Sequence, residues 1–151
     1  MKRFVFIIAA LLSMLSACSN PDPVREALLK RSGELAAPKS VTYDGENSAA
    51  QMLAVYWDGE QAIKDGAVSF EIQVSTDEFF FSGEGGTLIT KTLGISSSPN
   101  DAVIISGLTA GQEYFLRVAA VYPGPSKSEW AYLSNDSGKT CAVIPGKGLV
   151  E

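Results

Sequence analysis

The stretch GLTAGQEYFLRVAAV, residues 107–121, decides the fold predicted for this chain. Its first half contains Gly111, and glycine tolerates the backbone conformations that tight turns require. Its second half alternates, so that one set of side chains points into a core and the other points outward. The inward set is Leu116, Val118 and Ala120, and the outward set is Phe115, Arg117 and Ala119. The stretch therefore predicts a turn followed by a half-buried strand.

Similar short runs lie upstream of this strand, at residues 52–57, 68–75, 87–93 and 102–105. The run 68–75 alternates most clearly. It places Phe70, Ile72 and Val74 on one face and Glu71, Gln73 and Ser75 on the other. Breaks rich in glycine, proline and polar residues separate the runs, and no long helical pattern occurs between them. Several short strands joined by turns predict an all-β, antiparallel β-sandwich.

The 107–121 stretch resembles the E–F corner and F strand of fibronectin type III domains. That family shows Gly-Leu, a Pro/Ala-Gly turn, a tyrosine and then alternating apolar residues, and Leu108, Gly111 and Tyr114 match these positions. The resemblance implies an immunoglobulin-like sandwich with a tyrosine corner, in which the Tyr114 hydroxyl bonds back to the E–F backbone. It implies structural roles for Leu108 and Tyr114, and for Trp57 as the buried tryptophan that ends strand B.

The resemblance covers residues 36–144 and departs from the family near its end. Residues 70–75 resemble strand C, and residues 123–130 resemble the F–G loop and the approach to strand G. A turn-rich break at 134–138 then interrupts the expected last strand. Strand G is therefore expected to be split or bulged, or its second half pairs alone. Residues 145–151 are expected to form a C-terminal tail.

The first 17 residues have the organisation of a secretory signal. Lys2 and Arg3 precede an apolar run that is too short for a membrane-spanning helix of about 20 residues. Residues 15–18, Leu-Ser-Ala-Cys, resemble the lipobox of bacterial lipoproteins, in which the cysteine receives a diacylglycerol and the chain is cut before it. The resemblance implies a signal peptide at 1–17 and lipid on Cys18. An ordinary signal peptide with a chance cysteine is the alternative.

This reading predicts an envelope protein held by lipid on the outer membrane, on its periplasmic or cell-surface side. Residues 18–35 would form the lipidated N-terminus and a proline-broken tether. Within it, residues 24–31 either form a short helix or remain a spacer, because a helix of this length is marginal alone. The chain has two cysteines, so lipid on Cys18 excludes an intrachain disulfide. Cys141 is then either buried in the last strand, which we favour, or pairs between chains.

Composition excludes several classes of function. The chain has no histidine, which removes the commonest general base and the commonest transition-metal ligand. We therefore predict no catalytic residues, no metal and no cofactor. Loss of Lys2 and Arg3 with the signal leaves 10 of the 12 basic residues against 17 acidic ones, a net charge of −7. This acidity argues against binding to nucleic acid and against electrostatic docking on anionic lipid.

Aromatic residues supply the candidate ligand-binding side chains. Phe79, Phe80 and Phe81 are consecutive, so they cannot all face one core, and exposed aromatic rings often mark binding surfaces. Tyr122, Trp130 and Tyr132 flank the F–G loop, where such sandwiches present binding surfaces, although Trp130 is also placed to pack over the sheet. These residues predict a non-catalytic protein that binds a glycan or an envelope protein. The alternative function is a structural spacer or subunit of an envelope complex with no ligand of its own.

The predicted anchor has a direct test. Replacing Cys18 with alanine removes the thiol that would carry the lipid, and a protein lacking acyl chains loses about 0.8 kcal/mol of membrane affinity per methylene group. We expect the C18A variant to lose labelling by a fatty-acid probe and to leave the membrane fraction. Cys141→Ala is the matched control and should keep both properties. Membrane retention of an unlabelled C18A variant would contradict the lipoprotein prediction.

Overall fold

The computed structural model describes residues 35–81, 83, 86–95, 102–124 and 126–150. The predicted signal peptide, Cys18 and the short helix considered at 24–31 lie outside these residues. The chain divides into two units, Met1–Arg31 and Ser32–Glu151, and every described residue belongs to the second.

Ten strands and one short helix are present in the described residues, and all the strand pairs are antiparallel. They are β1 (Lys39–Ala49), β2 (Met52–Asp58), α1 (Glu60–Lys64), β3 (Ser69–Ser75), β4 (Leu88–Gly94), β5 (Val103–Ser106), β6 (Phe115–Tyr122), β7 (Ser126–Lys127), β8 (Ala131–Tyr132), β9 (Ala142–Ile144) and β10 (Gly148–Val150).

The strands form two main antiparallel sheets. One has the order β1-β2-β5, and the other has the order β4-β3-β6, with β7 and β8 both pairing with β6 along its outer edge. Strand β3 pairs with β6 over its whole length, from Ser69 opposite Val121 to Ser75 opposite Phe115. The predicted antiparallel β-sandwich is therefore confirmed, with three strands in one layer and the C, F and G positions of the fibronectin type III arrangement in the other.

One apolar core fills the space between the two sheets. It contains inward side chains of both layers, because alternation in a strand places every second residue on the same face. From the three-stranded layer come Val41, Leu53, Val55 and Ile105, and from the other layer come Phe70, Ile72, Val74, Leu116, Val118 and Ala120. The inward sets predicted for β3 and β6 are confirmed. Of the residues assigned to the opposite faces, Ser75 and Ala119 are nevertheless fully buried.

The burial of these two residues has local causes. Ser75 ends β3 at the point where the chain turns over it, and its Oγ accepts a hydrogen bond from the Asp77 N–H at 3.0 Å. Ala119 is a small side chain between the larger outward neighbours Arg117 and Val121, which reduce its contact with solvent. Strict alternation correctly predicts the face of the sheet to which a side chain points, but it does not predict whether neighbouring residues cover that side chain.

The tyrosine corner predicted at residues 108–114 is confirmed. Tyr114 is 2% exposed, and its hydroxyl accepts a hydrogen bond from the Thr109 N–H at 2.9 Å. Gly111 lies in the left-handed region with φ +77°, so it supplies the turn that brings Thr109 back to the ring. Leu108 is buried, and its N–H donates to the Gln51 carbonyl at 3.2 Å, which links the corner to the three-stranded sheet.

Strand G is interrupted twice. The break expected at 134–138 is present, but an earlier interruption at 128–130, between β7 and β8, was not indicated by the sequence. Strand β7 pairs with the end of β6, and β8 pairs with its middle. Between them, Ser128 donates its N–H to the Ala120 carbonyl at 2.9 Å and accepts the Ala120 N–H on its side-chain Oγ, also at 2.9 Å. A hydroxyl therefore replaces a backbone carbonyl at this position. The interruption still leaves no buried polar group of Ser128 unsatisfied.

The turn-rich break at 134–138 forms a closed excursion from strand G. At its base the Cys141 N–H donates to the Leu133 carbonyl at 3.1 Å, and at its centre the Asn135 side-chain oxygen accepts the N–H groups of Ser137 and Lys139 at 3.1 and 3.0 Å. The chain then returns to β6, where Val143 pairs with Tyr114. Cys141 is buried, as favoured from the sequence.

Three expectations need correction. Part of the tail expected at 145–151 is strand β10, which pairs with β9, and Gly146 between them allows the chain to pass Ala49 and Ala50. Trp57 is only partly buried, because it precedes exposed Asp58 at the end of β2. Its ring packs edge-on against Phe70, with centroids 5.5 Å apart.

The break between β2 and β3 is not simply a loop, because it contains helix α1. Ala62 is completely buried within this helix, and its carbonyl accepts the Ala67 N–H at 2.9 Å, so the segment is docked on the core. None of the helices in the described residues has the length and apolar character needed to cross a membrane.

The tyrosine corner gives a stability prediction. Tyr114→Phe keeps the buried ring but removes the acceptor of the Thr109 N–H, and losing one such hydrogen bond costs about 1 kcal/mol. We expect urea denaturation to show a free energy of unfolding lower by this amount. Tyr132→Phe is the matched control, because its hydroxyl accepts only a long 3.5 Å contact from Arg117. Equal stability of the two variants would contradict the assigned role of the corner.

Candidate functional site

The three consecutive phenylalanines point in different directions. Phe79 and Phe81 are 65% and 67% exposed, and their rings lie side by side with centroids 6.2 Å apart. Phe80 between them is only 6% exposed. The prediction that at least one of the three is exposed is confirmed. The exposed pair, Phe79 and Phe81, is named the aromatic tip below.

The turn that carries the aromatic tip is held by its own side chains. Asp77 accepts the Phe79 N–H on Oδ1 at 2.9 Å, and its carbonyl accepts the Phe80 N–H at 3.0 Å. Phe80 has φ +58°, a left-handed conformation that a bulky residue rarely adopts. Such a conformation costs about 1–3 kcal/mol and persists only where surrounding contacts enforce it. Burial of the Phe80 ring is the contact that enforces it here.

Phe80 is buried against a row of side chains on the outer face of the β3–β6–β8 sheet. The guanidinium carbon of Arg117 lies 4.1 Å from the Phe80 ring centroid and 4.3 Å from that of Trp130, so the cation is stacked between two rings. Gln73 fixes its direction, because Gln73 Oε1 accepts from Arg117 Nε at 2.9 Å and from Nη2 at 2.7 Å. Tyr132 meets Phe80 edge-on at 6.0 Å.

Trp130 is therefore already engaged within the protein. Besides Arg117, the ammonium of Lys127 lies 5.9 Å from its ring centroid, and Lys127 in turn forms a 2.6 Å salt bridge with Glu71. The ring is half-buried, in agreement with the sequence alternative that it packs over the sheet. Part of the ring remains accessible to solvent. A role of Trp130 in binding a ligand stays a prediction.

Tyr122 lies apart from this row. It is 5% exposed, and its hydroxyl donates to the Ala36 carbonyl at 2.8 Å. Burial raises the pKa of the Tyr122 phenol, and the carboxylate of Asp65 adds to the effect. Tyr122 thus lies at the end of β6 at which the chain enters the sandwich, whereas Phe115 lies at the other end. Tyr122 is therefore not part of the candidate binding surface.

The aromatic tip stands at the far end of the sandwich from that point. It follows Ser75, which pairs with Phe115 at the start of β6, whereas Ala36 contacts the end of β6. The seven residues of β3 separate the two ends by about 20 Å, at about 3.3 Å per residue. A partner at the tip would therefore approach the domain from the side opposite to residue 35.

A pocket of about 240 Å³ opens beside the aromatic tip. Its wall is mostly aromatic, and its polar groups are few. It is lined by Glu78, Phe79, Phe80, Phe115, Leu116, Tyr132 and Thr140. Of the residues predicted from sequence, it brings together Phe79 and Phe80. Phe81 does not line the pocket, but its ring extends the exposed apolar surface next to the pocket.

On β2, Met52 and Tyr56 lie on the face opposite to Leu53 and Val55, and they do not form an open apolar patch. Both side chains are half-buried, and the Tyr56 hydroxyl donates to Asp44 Oδ2 at 2.7 Å. The Asn47 amide also donates to Asp44, at 2.6 Å, and these two hydrogen bonds hold the pKa of the Asp44 carboxyl below its usual value. This cluster stabilises the irregular part of β1 and offers no apolar face to a partner.

A further pocket of about 310 Å³ lies at the base of the excursion, lined by Asn135, Ser137, Lys139, Thr140, Cys141 and Val150. The Asn135 side chain there is occupied with the backbone of its own loop. In the described part of the chain, no three histidine, cysteine, aspartate or glutamate side chains lie together as metal ligands would.

Tyr132, which the sequence places beside the F–G loop, belongs to the site. Arg117, Gln73 and Phe115 complete it but were not among the candidate residues from the sequence. The alternation of β6 placed Arg117 and Phe115 on the outer face, so that signal was present. The register that sets Gln73 opposite Arg117, and Arg117 opposite Tyr132, is a long-range property that the separate strands do not reveal.

No known family model matches the chain, and no curated protein matches it. Several solved structures are similar. The third fibronectin III domain of the human KIAA0343 protein is 17% identical, with 77% of this chain and 86% of that chain covered and a TM-score of 0.46. A fibronectin type III domain from the human KIAA0970 protein is 14% identical, with 76% and 83% covered and a TM-score of 0.44. An Fn3-like protein from Clostridium thermocellum is 23% identical, with 66% and 91% covered and a TM-score of 0.41.

The stacking of Arg117 predicts how its replacement changes stability and the emission of Trp130. Arg117→Met retains an apolar stem but loses two hydrogen bonds to Gln73 and the contacts with both rings, which together contribute about 1–3 kcal/mol. We expect a lower free energy of unfolding in urea, and emission from Trp130 at longer wavelength in a Trp57→Phe background. Lys139→Met is the control, because Lys139 is exposed and also loses one charge. Unchanged stability and emission in R117M would contradict the stacked arrangement.

Proposed function

We propose that this chain is a lipid-anchored, non-catalytic binding module, and that it recognises a protein partner through the aromatic tip. The observation that carries the proposal is the exposure of Phe79 and Phe81, at 65% and 67%, on a turn whose conformation is fixed by Asp77 and by the burial of Phe80. Fully burying a phenylalanine side chain contributes about 1.5–3 kcal/mol. Because Phe79 and Phe81 are exposed in the fold, this free energy is available for binding a partner.

The rigidity of the turn supports recognition. A binding loop that must be ordered loses part of its interaction energy in the ordering. Here the Asp77 hydrogen bonds and the stacking of Phe80 on Arg117 hold both exposed rings in place before a partner arrives. Aromatic side chains are enriched at the centres of protein interfaces, and a few such anchors supply most of the binding energy. The aromatic tip has both properties.

The chemistry around the tip favours a protein over a glycan. A sugar ring stacked on an aromatic side chain also needs hydrogen-bond partners for the hydroxyl groups around its edge. The pocket beside the tip offers side-chain polar groups only from Glu78, Tyr132 and Thr140, and the remaining lining is apolar. The exposed rings of the aromatic tip match apolar side chains of a partner protein better than a sugar.

The end of the sandwich at which the chain enters supports the proposal. Ala36 meets Tyr122 at that end, and the aromatic tip belongs to the other end. The segment that would carry lipid on Cys18 therefore joins the sandwich away from the recognition surface.

The proposal is tested by a double substitution at the tip. Phe79→Ser with Phe81→Ser removes both exposed rings without touching the core, so we expect unchanged urea midpoints and at least a tenfold lower recovery of a crosslinked envelope partner. The crosslinker is a photoreactive phenylalanine analogue placed at Thr140, an exposed residue that lines the pocket beside the tip. Val68→Ser with Ile104→Ser is the matched control, because both residues are exposed and apolar and lie elsewhere, at 52% and 38% exposure.

Three outcomes would contradict the proposal. Equal recovery of the partner by the F79S/F81S variant would exclude the aromatic tip as the recognition surface. Binding to a glycan array that is lost in F79S/F81S and kept in V68S/I104S would show that the ligand is a sugar. Absence of any stoichiometric partner for the unmodified chain would favour a spacer or subunit with no ligand of its own.

A further inference from the structure

The pocket beside the aromatic tip combines aromatic rings with a carboxylate. Four rings line it, from Phe79, Phe80, Phe115 and Tyr132, together with the carboxylate of Glu78. The face of an aromatic ring is electron-rich and attracts a cation, most strongly where several rings surround it and exclude water. A carboxylate at the rim adds direct charge attraction. The lining therefore has the chemistry of a site for an organic cation.

The Glu78 carboxylate is open to a ligand. In the described part of the chain, the salt bridges join Lys64 to Glu60 and Lys127 to Glu71, and no hydrogen bond reaches the Glu78 side chain. Glu78 is exposed and follows Asp77, whose own carboxylate is occupied by the Phe79 N–H. Of these two neighbouring acids, Glu78 is thus the one with its charge uncompensated.

One of these rings, that of Phe80, already contacts a cation within the protein. Arg117 stacks on Phe80 at 4.1 Å on the sheet side, and Arg117 does not line the pocket. Its positive charge opposes the arrival of a second cation, as does that of Lys139, which precedes the lining residue Thr140. A cationic ligand therefore needs the other rings and a nearby negative charge, and Glu78 supplies that charge.

We propose that this pocket receives the side chain of an arginine or lysine from the protein partner, with the rings around its stem and Glu78 as its counter-charge. This inference rests on the proposed function and names the chemistry of the partner. Charge complementarity supports it, because the chain carries 17 acidic against 12 basic residues and attracts basic surfaces. The aromatic tip beside the pocket would contact apolar residues that flank the basic one.

The probe is a small mimic of the proposed side chain. The full chain in detergent micelles, labelled with ¹⁵N, is titrated with N-acetyl-arginine methylamide and, separately, with the citrulline analogue, which has the same shape and no charge. We expect saturable shifts of the amide signals at residues 78–80 and 115, with a dissociation constant in the millimolar range. The citrulline analogue should bind at least fivefold more weakly, because it lacks the charge that Glu78 and the rings attract.

Two variants assign the effect to the pocket. Glu78→Gln should weaken the arginine probe about fivefold while the signals of the core stay in place. Glu113→Gln is the matched control, because Glu113 is exposed, changes the net charge equally and does not line the pocket. Equal binding by both variants, no shift at the pocket, or equal binding of the citrulline analogue would overturn the proposal.

The two proposals fail in distinguishable ways. If the arginine probe does not bind but the envelope partner is still lost in F79S/F81S, the aromatic tip is a recognition surface and the cation site is wrong. If the probe binds in an E78-dependent manner but F79S/F81S keeps the partner, the pocket takes a cation and the proposed recognition surface is wrong.

Discussion

The hydrogen bond from the Thr109 N–H to the Tyr114 hydroxyl ties together the parts of the structure on which the others depend. Tyr114 stands immediately before β6, and Val143 exchanges two backbone hydrogen bonds with it, at 2.9 and 2.8 Å. Leu108, one residue before Thr109, is bonded to the opposite sheet through Gln51. Tyr114 therefore joins three parts of the fold: its hydroxyl holds the E–F turn, its backbone holds the returning chain at Val143, and it immediately precedes β6.

The candidate site follows from the start of β6 at Phe115. Once Phe115 stands opposite Ser75, the register places Arg117 opposite Gln73 and Tyr132. Arg117 then provides the surface on which Phe80 is buried, and burial of Phe80 forces its two neighbours outward. The exposure of Phe79 and Phe81 is thus a consequence of packing on the outer face of the sheet. A loose turn is not the reason for this exposure, because the hydrogen bonds to Asp77 hold the turn in place.

Much of the fold could be predicted because it depends on local patterns. Alternation in β3 and β6, the Gly-Leu and Ala-Gly signals before Tyr114, and the broken last strand each predict a feature from a few adjacent residues. The aromatic site was predicted only in part, since three consecutive rings require at least one to be exposed but do not say which. The choice of Phe80 as the buried ring depends on Arg117 and Tyr132, which are distant in the sequence. The partial burial of Trp57 and the full burial of Tyr122 likewise depend on Phe70 and Ala36.

The interrupted strand G also determines how this domain behaves beside its own copies. A long, regular edge strand presents a continuous row of N–H and C=O groups, and such an edge invites pairing with another chain and aggregation. Here that edge of β6 is covered by two strands of two residues each, separated where the Ser128 hydroxyl turns inward to the Ala120 N–H. The excursion at 134–140 then carries the chain away before it returns at Val143. The broken edge lacks the regular register that a second sheet needs for addition, so crowding of identical domains on one surface does not lead to sheet extension along this side.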